Sequence, residues 1–113
     1  MIRRGGIHYV DWSPGRGSEQ GGVRPALVVQ NDVGNRFSSA TIVAAVSTKR
    51  GTAYPFQVKI TAKESGLPHD SIVKCEQLQT VDRSRLGEQV GALGQGRMAD
   101  VEAALHRSLG FAR

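Results

Sequence analysis

The apolar residues of this 113-residue chain come in short bursts and never in a long run. The longest uninterrupted stretches are residues 26–29 and 42–46. Glycine, proline, asparagine and aspartate bracket most of the bursts, and the chain holds 14 Gly and 4 Pro. Punctuation this dense cuts helices short and leaves room for strands joined by turns. Residues 7–12 read as a first strand with Tyr9 and Trp12 for bulk. Residues 13–22 are a loop carrying Pro14 and four glycines. Residues 25–30 form a second strand whose apolar centre predicts burial on both faces. Residues 31–36 are turn formers with room for one helical turn. Residues 41–47 give a third strand, 48–55 a connecting loop, and 56–60 a fourth, alternating strand. A turn at 65–70 leads to two short strands, 71–74 and 76–81; residues 86–93 stay open between strand and loop.

The end of the chain has a different period. Met98, Val101, Leu105 and Leu109 fall on one face of a helix, with Asp100, Glu102, His106 and Arg107 facing solvent. Gly110 is placed to close that helix, whereas Gly94 or Gln95 marks its start only weakly. Short strands followed by one terminal helix predict a mainly β fold with a C-terminal α-helix. The expected form is a small β-barrel with the helix packed on it, in a single domain spanning 1–113.

Apolar residues at 39% and charged residues at 22% exclude a disordered chain. Cys75 is the sole cysteine, so no intramolecular disulfide forms, which suits a reducing compartment. No apolar stretch approaches the roughly 20 residues of a membrane span, and nothing at the start reads as a signal peptide. The expected location is cytoplasmic. A net charge of +5 and a pI near 10 lean toward an anionic partner. The cations are dispersed, so folding must assemble any anion site.

Metal chemistry lacks its usual donors. One Cys and three isolated His (His8, His69 and His106) do not make a zinc site, and no paired-carboxylate motif serves two-metal phosphodiester cleavage. No metal and no cofactor are expected. His8 reads as a packed or surface residue and Cys75 as a small buried one. A glycine-rich phosphate loop at residues 15–17 fails for want of a following helix. Beside that loop, Ser18, Glu19 and Gln20 offer polar contacts, and Arg24 stands where the loop enters a buried strand. The next strand ends in Ser47, Thr48, Lys49 and Arg50. If the two strands are neighbours, their ends join a guanidinium, two hydroxyls and further cations. A guanidinium donates two parallel hydrogen bonds to phosphate and stays charged. Spacing by itself favours a plain surface or ion-paired arginine.

The wider context reverses that preference. Residues 17–29 read G-S-E-Q-G-G-V-R-P-A-L-V-V, and 30–36 read Q-N-D-V-G-N-R. Y-P-F at 54–56, G-L-P at 66–68, E-Q-L-Q-T-V-D at 76–82, S-R-L-G at 84–87 and L-H-R-S-L-G at 105–110 continue the pattern. In these segments, over nearly its whole length, the chain resembles the MazF/PemK family of toxin endoribonucleases. The resemblance implies an SH3-like barrel with short helices, working as a homodimer. It implies sequence-specific, metal-independent cutting of single-stranded RNA, chiefly mRNA, leaving a 2′,3′-cyclic phosphate and a 5′-hydroxyl. It also implies arrested translation and a cognate antitoxin whose flexible acidic tail fills the RNA groove. The family's catalytic arginine falls on Arg24, its strand-end hydroxyl on Ser47 and its loop acid on Glu19. The RNA-binding positions fall on Ser18, Gln20, Thr48, Lys49, Lys74, Glu76 and Gln77, with Glu76 a second candidate for the acid. Two departures stand out: Gly6 replaces the acid of the family's R-G-D-[IV] segment, and Ser47 stands where many members have Thr. The rival readings are a gyrase-poisoning module on the same fold and a non-catalytic RNA-binding barrel.

Overall fold

The computed structural model describes residues 1–12, 22–48 and 51–111. Six strands make one antiparallel sheet in the order β4-β5-β3-β2-β1-β6. They are β1 (Gly6–Asp11), β2 (Val23–Val28), β3 (Ala40–Ser47), β4 (Gln57–Ile60), β5 (Ser71–Asp82) and β6 (Leu86–Ala92). Helix α1 (Asp32–Phe37) joins β2 to β3, α2 (Ala62–Ser65) joins β4 to β5, and α3 (Gln95–Leu109) closes the chain. The edge strands β4 and β6 do not pair, so the sheet is barrel-like rather than closed. Helix α2, which follows β4, packs on β6 and draws the two edges together.

That closure depends on two glycines. A Cβ on Gly91 would stand 2.0 Å from the Ser65 carbonyl oxygen, and one on Gly66 would stand 2.1 Å from that of Val90. Gly66 also ends α2 at φ 80°, in the left-handed region. Helix α2 is only four residues long, but it carries a full capping box: Thr61 accepts from Glu64 N, and Glu64 accepts from Thr61 N. Arg97 of α3 donates to both Glu64 oxygens, at 2.9 and 3.1 Å, and this holds the Glu64 carboxyl below its ordinary range.

Alternation along the strands builds two cores. Ile7, Leu27, Ala44, Val46, Val58 and Val73 share one face with Val101 and Ala104 of α3 and Leu67. Val10, Ala26, Val28, Val43 and Val81 form a smaller cluster on the other face, covered by Ile2, Trp12 and Leu86. The expected two-sided burial of the second strand is what the structure has: Ala26, Leu27 and Val28 are all fully buried. A polar network anchors α1. Asn35 donates to the Gln30 carbonyl, and its Oδ1 accepts from Gln30 Nε2 and, at 2.6 Å, from Thr41 Oγ1.

Several expectations shift. The two short strands at 71–81 are one strand, β5, broken in register where Ala44 faces Leu78 but Ala45 faces Lys74. Residues 86–93 do contain a strand, β6. Helix α3 ends at Gly110 in the left-handed region and begins at Gly94 without a side-chain cap, as expected. His106 does not face solvent fully: its ring meets Phe111 edge-on at 6.0 Å, and its Nδ1 is enclosed.

Candidate active site

Arg24 is exposed on β2, directly opposite Val10 of β1. The register between β2 and β3 pairs Ala26 with Ala45 and Leu27 with Ala44. Continued to the strand ends, it sets Arg24 opposite Ser47. Ser47 in turn faces Ile72 of β5, and Ile72 faces Lys59 of β4. Opposed residues of an antiparallel ladder project to the same face. One rung therefore runs Val10, Arg24, Ser47, Ile72, Lys59. The adjacent rung runs His8, Ala26, Ala45, Lys74, Gln57. Toward β1 this face is roofed by Trp12 and Leu86 of the smaller core. Toward β4 it opens, with Lys59 exposed and Ser47 and Lys74 half-buried.

The charges on this face differ from those elsewhere. Arg4–Glu102, Arg97–Glu64 and Arg97–Asp100 form ion pairs that all involve α3. Arg24, Lys59 and Lys74 join none of them. The reading of Arg24 as a plain ion-paired arginine therefore has no carboxylate to support it among the described residues. Three cations on one open face with no carboxylate partner among the described residues make a site that attracts anions.

Glu76 and Gln77 lie in the irregular stretch of β5 past Lys74, and both are exposed. Glu76 accepts a 2.7 Å hydrogen bond from Gln57 Nε2. Thr48 is exposed just beyond the end of β3. Ser18, Glu19, Gln20 and Lys49 lie outside the described residues. Sequence reasoning missed Gln57 and Lys59 as members of this face. Their signal was the alternation Gln57-Val58-Lys59-Ile60, which puts both polar side chains opposite the buried ones.

The histidines and the cysteine stand apart. His8 is buried, and its Nδ1 lies 3.0 Å from the Gly87 carbonyl, so Nδ1 carries the proton. Its Nε2 lies near Gly6: a Cβ there would be 3.4 Å from His8 Nε2, 3.4 Å from Gln89 Nε2 and 3.2 Å from the Arg3 carbonyl. A side chain at position 6 would thus start in tight contact with these three atoms. His69 is exposed in its turn. Cys75 is fully buried, and burial pushes its thiol up to about 11, which leaves it no nucleophile at neutral pH. Among the described residues no three His, Cys, Asp or Glu side chains gather in a metal-binding group.

The chain is a barrel-like sheet with one open cationic face, and comparison with known proteins identifies the class it belongs to. Residues 3–109 match the family of PemK-like, MazF-like toxins of type II toxin-antitoxin systems, and the chain belongs to that family. The endoribonuclease EndoA of Bacillus subtilis is 46% identical over 110 residues, covering 96% of this chain and 95% of that protein. The endoribonuclease MazF of Staphylococcus epidermidis is 45% identical over 112 residues, covering 98% and 93%. Among solved structures, a mycobacterial endoribonuclease in complex with its cognate antitoxin superposes with a TM-score of 0.84 at 23% identity, covering 100% of this chain and 99% of that one. That last likeness concerns the fold.

Proposed function

We propose that this MazF-like endoribonuclease toxin cuts single-stranded RNA, chiefly mRNA, by in-line attack of a ribose 2′-hydroxyl on its own 3′-phosphate, without a metal. The observation that carries the proposal is the exposed Arg24 guanidinium, with no ion-pair partner among the described residues, on a strand whose register with β3 runs toward Ser47. As the O2′–P bond forms and the P–O5′ bond breaks, the nonbridging oxygens gain charge. The Arg24 fork stabilises that charge and can pass a proton to the departing O5′. Ser47 orients the phosphate or the 2′-hydroxyl through its Oγ. A guanidinium stays protonated and so does not take the 2′-hydroxyl proton; the candidates for that role are Glu19, the loop acid the resemblance assigns, Glu76, or transfer to the substrate itself. The Gln57 bond holds Glu76 beside Lys74, a strand away from Ser47, which suits Glu76 to binding rather than proton transfer. Thr48, Lys74 and Gln77 lie along the path of the strand, and Ser18, Gln20 and Lys49 are assigned to RNA binding by the family resemblance.

The products are a 2′,3′-cyclic phosphate and a 5′-hydroxyl. The same cationic face accepts the acidic tail of a cognate antitoxin, which competes with RNA for Arg24, Lys59 and Lys74. The working form is a cytoplasmic homodimer, and no helix among the described residues is long and apolar enough to cross a membrane. The test is a long synthetic RNA incubated with pure protein in excess EDTA, with both new ends mapped. Discrete cuts with 5′-hydroxyl ends, lost in a folded Arg24→Ala, support the reading. Intact RNA at high enzyme refutes it, and dependence on an added divalent ion refutes its metal-free part.

A further inference from the structure

The outer edge of β4 holds one backbone position that nothing in the chain claims. β4 ends the sheet and pairs with β5 on one side only. Cys75 N donates to the Phe56 carbonyl at 3.2 Å, and this bond sets the phase of the ladder. Phe56, Val58 and Ile60 turn their backbone groups toward β5, so Gln57, Lys59 and Thr61 turn theirs outward. The first and last of these outward N–H groups are bonded locally. Gln57 N donates to the Tyr54 carbonyl at 2.8 Å, and Thr61 N donates to Glu64 Oε2 at 2.8 Å. The Lys59 N–H lies between them with no such partner among the described residues. The Lys59 side chain is exposed and joins no ion pair.

We infer that an extended acidic segment of a partner protein adds to this edge as a further strand, centred on Lys59. The inference rests on the acidic antitoxin tail proposed above and deepens it by naming how such a tail holds on. In an antiparallel addition, the partner residue opposite Lys59 exchanges two backbone hydrogen bonds with it, N–H to carbonyl each way. A further partner N–H reaches the outward Gln57 carbonyl. The side chain opposite Lys59 projects to the same face as the ammonium, so Asp or Glu fits there. The residues before and after it project to the other face, beside the buried Val58 and Ile60, and are apolar. The pattern recognised is therefore apolar–acid–apolar.

Charge decides against a second copy of this chain as the occupant. Two β4 edges paired about a twofold axis at Lys59 would set one lysine directly opposite the other, and like charges there destabilise a ladder. Sliding the pairing by two residues sets Lys59 against the N–H of Gln57 or Thr61, each already bonded. A lysine in the middle of a short edge strand guards against such pairing. An acid in the incoming strand turns that guard into a contact. The opposite edge offers no equivalent place, because α2 sits on β6 and the Ser65 carbonyl closes on Gly91.

The test uses the full, isotope-labelled chain and a capped peptide with one central Val-Glu-Val flanked by Asp and Ser. A second peptide is identical except for a methyl group on the backbone nitrogen of its Glu. Affinity is read by anisotropy, and amide exchange by nuclear magnetic resonance. The first peptide is expected to bind and to slow exchange of the Lys59 amide about tenfold or more, with the Gln57 and Thr61 amides unchanged. The methylated peptide, which lacks the N–H and crowds the edge, should bind about tenfold or more weakly. Lys59→Glu should reject the first peptide and take a Val-Lys-Val counterpart in its place. Equal binding of both peptides with an unchanged Lys59 amide overturns strand addition; the acidic-partner reading then stands on charge alone. Binding of neither peptide refutes that reading and the inference with it.

Discussion

Gly91→Ala puts one methyl group where the fold has no room for it. The added Cβ would stand 2.0 Å from the Ser65 carbonyl oxygen, 2.7 Å from its carbon and 3.3 Å from Gly66 N. All three atoms are backbone, so no rotamer change relieves the contact. An ordinary carbon–oxygen contact is about 3.3 Å or more. Helix α2 and β6 must therefore part by about 1 Å along the seam that draws the sheet edges together. Overpacking costs about 1–3 kcal/mol where side chains can yield. Here only backbone can yield, so about 3 kcal/mol is expected. At about 4–8 °C per kcal/mol for a domain near this size, Tm falls by about 12–24 °C. Gly96→Ala is the matched control. A Cβ there meets nothing within 4 Å, and the residue lies in α3. Removing the excess backbone freedom of that glycine should add up to about 1 kcal/mol. Urea denaturation followed by circular dichroism measures both. If Gly91→Ala lies within 1 kcal/mol of wild type, the α2–β6 seam is not the close contact described, and the account of how the edges meet is wrong.

Other outcomes follow from other contacts of the fold. Glu64 is held below its ordinary value of 4.5 chiefly by Arg97, so its stabilisation is present above that value and is lost as pH falls through the lowered one. Glu64→Gln should therefore flatten the decline of Tm between about pH 5 and pH 3, costing about 1 kcal/mol at pH 7 through the capping box; an unchanged acid limb counts against the Arg97 contact. Lys59→Ala and Lys74→Ala should each reduce the slope of log affinity for RNA against log salt by about 0.7, as measured by anisotropy titration. A slope equal to wild type in both would remove these lysines from the RNA path.

Much of the scaffold was legible because it rests on local signals. Apolar bursts placed β1 through β4, and the period of Val101 and Leu105 with Gly110 behind it placed α3. Helix α2 escaped because four residues carry no period, although its Thr61–Glu64 capping pair was in view. Strand β5 looked like two strands because the polar residues Lys74, Glu76 and Gln77 interrupt its apolar pattern; in the structure its register breaks there, between Lys74 and Leu78. That break comes from the pairing with β3, which no local pattern encodes. The site divides in the same way. Arg24 and Ser47 came from the family resemblance, and their opposition follows from the β2–β3 register. Lys59 and Gln57 were invisible as site residues, because β4 reaches them only through β5, whose pairing is long-range.

The central claim is that Arg24 stabilises attack by the substrate's own 2′-hydroxyl. One RNA is made in two forms, all-ribose and with a single 2′-deoxy nucleotide at the mapped cut, and single-turnover rates are measured in EDTA for wild type and for Arg24→Lys, whose point charge lacks the fork. The account predicts that wild type cuts the ribose form and leaves the deoxy form intact at that bond. It also predicts that a folded Arg24→Lys cuts the ribose form about 100–1000-fold more slowly. Cutting of the deoxy form, or an Arg24→Lys rate near that of wild type, would contradict it.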